Sequence, residues 1–138
     1  MKQTDKKLLF VDLCARVPYY PYALFDSNKK FDGGLRAPII GMVNKGNTGV
    51  IKYNQMFYAY GCMTPFSIEE FRIYLRPISS MTIEEKLEYA AFIYSDSTTV
   101  KDIVKLIDWF NAHYFDFRNL IERGLALEAP EGMYNLNK

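Results

Sequence analysis

Phe71-Arg72-Ile73-Tyr74-Leu75-Arg76-Pro77-Ile78-Ser79-Ser80-Met81-Thr82-Ile83-Glu84-Glu85-Lys86-Leu87 changes its period at the proline. Before Pro77 the pattern alternates, with Phe71, Ile73 and Leu75 on one face and Arg72, Tyr74 and Arg76 on the other, as a strand requires. After it, Thr82-Ile-Glu-Glu85 fits a capping box, and Ile83, Leu87, Ala90, Ala91 and Tyr94 recur at helical spacing. A sheet-forming first half followed by a helical second half predicts an α+β fold.

Upstream, Leu9 and Leu13, like Phe10 and Cys14, lie four apart and predict a first helix over Asp5–Val17, closed by Pro18 and Pro21. Strands are expected near Tyr19–Phe25, Leu35–Val43, Val50–Tyr60 and Ile68–Leu75. Asp32-Gly33-Gly34 and Lys45-Gly46-Asn47-Thr48-Gly49 supply the turns between them. Turns this short favour antiparallel neighbours, and Pro21 points its strand to a sheet edge. Downstream, Thr99-Val-Lys-Asp102 opens a second helix of the later half, with Val100, Ile103, Val104, Ile107 and Phe110 expected inward. A short last helix is expected around Phe117, Leu120 and Ile121, with Asp116 as its cap, Gly124 as its stop and Arg118–Glu122 as a surface pair. Glu128-Ala-Pro-Glu-Gly132 reads as a loop. The expected architecture is an N-terminal helix, a small antiparallel sheet of about four strands, and a C-terminal layer of about three helices.

The chain has 138 residues, 49% of them hydrophobic and 24% charged, which is one ordinary globular domain over 1–138. Its net charge is +1, but residues 1–78 carry a balance of +5 and residues 79–138 one of −4. A general nucleic-acid binder needs a clear basic excess, so no sequence-specific nucleic-acid partner is expected. No apolar run approaches the ~20 residues of a membrane-spanning helix. No export signal follows the charged start, which places the protein in a cytoplasm with Cys14 and Cys62 as reduced, buried thiols.

The chemistry-bearing motifs are sparse. Gly41-Met-Val-Asn-Lys-Gly46-Asn47-Thr48 has asparagine where a phosphate-cradling loop needs lysine, and a strand follows where a helix is required. Asp26–Phe31 lacks the turn glycine of a calcium loop. His113 is the only imidazole, and neither Asp108, Asp116, Ser79, Ser80 nor Cys14 completes a nucleophile signature with it, so it reads as a structural helix-end histidine. Glu84, Glu85 and Glu88 read as a solvated first turn. Trp109, Phe110, Tyr114, Phe115 and Phe117 read as the joint between the last helices. No metal, cofactor or catalytic residue is expected.

The aromatic content of 16% leaves two function classes. Arg72, Tyr74 and Arg76, joined by Lys52, Tyr58 and Tyr60 from the preceding strand, suit a nucleotide-like anion, with arginine on phosphate and tyrosine on a base. A non-enzymatic protein sequestering such a ligand, in the context of host defence, is the first expectation. The alternative is a protein-interaction or assembly module that docks a host protein or a second copy of itself, since aromatics and arginine enrich interfaces equally.

Asp12-Leu-Cys-Ala-Arg16, Tyr74-Leu-Arg-Pro-Ile-Ser-Ser-Met-Thr82 and the region from Trp109 to Tyr134 carry a resemblance. The last of these holds His113-Tyr-Phe-Asp116, Leu120-Ile-Glu122 and Gly124-Leu-Ala-Leu-Glu-Ala-Pro-Glu-Gly-Met-Tyr134. Together they resemble a group of short uncharacterised proteins of Bacteroides-type gut bacteria, their prophages and phages. The group brings no activity or site residue to this chain. What the resemblance implies is a setting, that of a mobile-element accessory protein in the cytosol of an infected or lysogenic cell.

Overall fold

The computed structural model describes residues 1–44, 55–94 and 99–134. Helix α1 spans Gln3–Arg16, starting two residues before its expected position and ending one short of it. Among the described residues six strands follow: β1 Tyr22–Phe25, β2 Leu35–Asn44, β3 Gln55–Ala59, β4 Phe66–Ser67, β5 Phe71–Leu75 and β6 Ala126–Glu128. Helix α2 (Ile83–Ile93) and helix α3 (Val100–Ala112) stand between β5 and β6. The class is α+β, but the sheet is larger than expected.

The strand order is β4-β3-β2-β1-β5-β6, antiparallel except for the parallel β5–β6 pair. Contrary to the edge position expected from Pro21, β1 is an inner strand between β2 and β5. The proline precedes the strand, so no ladder N–H is lost, and its carbonyl accepts from Ile39 N at 2.8 Å. β6 was not expected, and it meets the expected Glu128–Gly132 loop only at Glu128. Three residues are too few to show a period of two, and the partner, β5, lies more than fifty residues upstream.

Ala23, Phe25, Ala37, Ile39, Phe57, Ala59, Phe71, Ile73, Leu75 and Ala126 form the buried face of the sheet, and Leu9 and Leu13 of α1 belong to the same cluster. In the register the small residues meet one another or a β-branched neighbour: Ala23 faces both Ala37 and Ile73, and Ile39 faces Ala59. Phe25 packs its ring against Phe66 and Phe71, 4.7 and 5.2 Å between centroids.

Two polar devices close the domain. Asp12 and Arg16 of α1 form a fully buried ion pair at 2.8 Å, and Arg16 also donates to the Phe115 carbonyl at 2.7 Å. Tyr134 is set where β1 and β5 part. Its hydroxyl accepts from Tyr22 N at 2.7 Å and donates to Tyr74 O at 2.9 Å, and its ring stacks on Tyr114 at 3.8 Å.

Residues 117–123 form turns instead of the expected short helix. Asp116 nevertheless acts as the expected cap, accepting from Leu120 N and Ile121 N, and Gly124 supplies a positive φ of 75°. Arg118 turns to Asp12 at 3.4 Å, while Glu122 accepts from Asn119, so the expected Arg118–Glu122 pair is not made. Both cysteines are free, but Cys14 is exposed on α1 and Cys62 is half-buried, against the expectation of two buried thiols.

Candidate functional site

The expected ligand face is dispersed by the topology. β1 and β2 lie between β3 and β5, so Tyr58 stands three strand spacings from Tyr74, roughly 14 Å. Tyr60, one residue past β3, is exposed, and Lys52 lies outside the described residues. Tyr74 is only 6% exposed, and the Arg36 guanidinium sits 5.2 Å over its ring. Arg72 is half-buried against the Phe31 ring at 4.5 Å and donates to its neighbour's carbonyl. Arg36, which the alternation of Leu35–Val43 places on this same face, is the arginine the sequence reading passed over; Leu24 separates it from Arg72.

Arg76 is committed elsewhere. Its two terminal nitrogens hold Glu85 at 2.8 and 2.7 Å and reach the carbonyls of His113 and Ser80, and its Cζ lies over the Phe115 ring at 4.2 Å. Its backbone bridges Tyr114 and Asp116 at 2.7 and 2.8 Å. This one residue therefore bolts the end of β5 to the first turn of α2 and to the residues that follow α3. Beside it opens a cleft of 550 Å³ between Ser80, Thr82, Glu128, Glu131 and Tyr134.

Glu85 is thus buried and paired, not part of a solvated face. Burial pushes its carboxyl up, but the hydrogen bonds from Arg76 and the Thr82 backbone outweigh that and hold it down at about 2. A carboxylate depressed in the folded state contributes stability that is complete above its ordinary value of 4.5 and is lost as pH falls toward 2. Glu85→Gln is expected to cost about 1–3 kcal/mol at pH 7. It should also flatten the loss of thermal stability between pH 5 and pH 2.5, measured by circular dichroism. An equally steep acid limb in the variant would place the titrating group elsewhere.

From this root α2 and α3 pack together through aromatic rings, with Tyr89 and Phe92 of α2 against Trp109 of α3 and with Tyr89 also against Phe110. Trp109 Nε1 donates to Glu88 at 2.6 Å, and the His113 ring bonds the Trp109 carbonyl as a helix-end histidine should. Of the expected joint, Trp109, Phe110, Phe115 and Phe117 pack ring against ring, but Tyr114 stacks on Tyr134 and the short last helix it was to hold is not formed. The apolar stripes do not turn inward: Ile83, Leu87 and Tyr94 are 78%, 67% and 80% exposed, and Val100, Ile103, Val104 and Ile107 are 78%, 48%, 51% and 39% exposed. The rings of Tyr89 and Phe92, on the other side of α2, have taken the inward position. The two helices form an arm with filled facing sides and apolar outer sides.

Among the described residues no cluster of His, Cys, Asp and Glu is placed to hold a metal ion, and no helix is long and apolar enough to cross a membrane. Comparison of the chain with protein-family models, with curated proteins and with solved structures finds no match. The fold and the arm therefore carry the functional argument themselves.

Proposed function

We propose that this protein is a non-enzymatic interaction module whose α2–α3 arm docks another polypeptide. The observation that carries this is the outward apolar stripe. A helical period of apolar residues is the signature of a face that meets protein, and here two such faces meet solvent. Aliphatic side chains such as Ile83, Leu87, Val100 and Ile103 form no charge, nucleophile or phosphate cradle, so they suit burial against another chain. The ligand-sequestering alternative rests on Arg36 and Arg72, whose shared face leaves Tyr74 too covered to stack on a base. The mobile-element setting implied by the resemblance fits an accessory protein that acts by contact.

A photo-crosslinking residue placed at Ala91 or Ile103 in the producing cell tests the reading, with Lys7 on α1 as the control. Discrete protein adducts are expected at the two arm positions and none at Lys7. An arm as silent as the control would reduce these stripes to ordinary surface.

A further inference from the structure

The stripe on α2 has a spacing that specifies its mate. Ile83, Leu87, Ala90 and Tyr94 follow one another at intervals of four, three and four, the repeat by which one helix seats its side chains in the gaps of another. Read in reverse the intervals are the same. Turned end for end, Leu87 falls opposite Ala90 and Ile83 opposite Tyr94, so that at the centre a large side chain meets a small one.

We infer that α2 pairs antiparallel with α2 of a second copy across a two-fold axis, an inference that rests on the arm being the interaction surface. The flanking charges permit it. At about 100° per residue, Glu84 lies on the Ala91 flank of the seam and Lys86 on the Ile93 flank. A two-fold antiparallel pair brings like flank against like flank, so Glu84 meets Ala91 of the second copy and Lys86 meets its Ile93. Neither charge faces its own counterpart.

The area is sufficient for a reversible contact. Ile83, Leu87, Ile93 and Tyr94 are all exposed, and with Ala90 and Ala91 two such faces cover roughly 1,000 Å², the floor for a specific interface. One face alone reaches the upper range of about 300–600 Å² that the largest patch of a monomer occupies. A two-fold contact is also the commonest closed assembly, because one surface serves both partners. The expected dimer dissociates with a Kd on the order of 1–10 µM.

Sedimentation velocity over a concentration series tests the pairing. The wild-type chain is expected to pass from monomer to dimer, and Leu87→Lys to raise Kd by roughly 30-fold or more, as truncating a central anchor does. Leu87 is exposed in the single chain, so the variant is expected to keep the wild-type circular dichroism spectrum. The photo-adduct at Ala91 should have twice the mass of the chain. A monomer at every concentration, or a dimer that Leu87→Lys leaves intact, overturns the pairing. If the chain stays monomeric while Ala91 captures a chain of another mass, the pairing fails and the interaction reading stands; a monomer with no adduct sinks both.

Discussion

Asp12→Ala is expected to destabilise the domain by about 3–5 kcal/mol, the cost of leaving a buried charge without its partner. Asp12 and Arg16 are both fully buried, and one Asp12 oxygen accepts from Arg16 Nε while the other faces Arg118 at 3.4 Å. Removing the carboxylate leaves Arg16 with the Phe115 carbonyl as its remaining oxygen partner, and its Nη1 already has none among the described residues. At this chain length the loss corresponds to roughly 10–20 °C in Tm. The double variant Asp12→Leu with Arg16→Met separates the two possible costs. A buried pair replaced by apolar side chains of similar volume is often neutral, so the double variant should recover most of the lost stability. If it melts as low as Asp12→Ala, the pair holds α1 in place by something other than its charge balance.

Tyr134→Ala ranks second, at about 3–5 kcal/mol, because it removes a packed ring together with its hydroxyl. The ring lies face to face with Tyr114 and edge-on to Tyr22 at 5.8 Å. The hydroxyl serves a backbone N–H, that of Tyr22, and a backbone carbonyl, that of Tyr74. Tyr134→Phe keeps the ring and leaves those two groups unserved, so about 1–3 kcal/mol of the loss should remain. Burial also pushes the Tyr134 phenol well above its ordinary value of 10. A raised phenol favours the folded state below pH 10 and withdraws that support as pH rises further. Alkaline unfolding, followed by circular dichroism, should therefore be shallower in Tyr134→Phe than in the wild type. Equal alkaline limbs would assign the effect to Tyr114, which burial shifts in the same direction.

The parts of this fold that were legible in the sequence are those set by local chemistry. Both capping boxes, Thr82 with Glu85 and Thr99 with Asp102, form as their spacing requires. Asp116 and Gly124 act at the positions their residue types dictate, although the turns between them never become a helix. What was not legible depends on distant partners. β6 is defined only by β5, and Arg76 finds Glu85 and His113 only after three elements have been folded together. The helical stripes show the limit most clearly. α2 has aliphatic residues on one side and aromatic rings on the other, and periodicity cannot say which side the domain will keep. The larger rings took it, because Trp109 gives them the greater contact. For the candidate site, the alternation of β5 placed Arg72 and Tyr74 correctly on one face, but alternation says nothing about what covers that face.

Arg16 and Phe115 are separated by 99 positions, yet the first cannot satisfy its guanidinium without the second. A ribosome adding roughly 5–20 residues per second makes that arginine wait about 5–20 s for its acceptor. Until then Asp12, four residues away on the same helix, is the partner within reach of the guanidinium. The buried Arg16–Phe115 contact is therefore completed only when nearly the whole chain has been made.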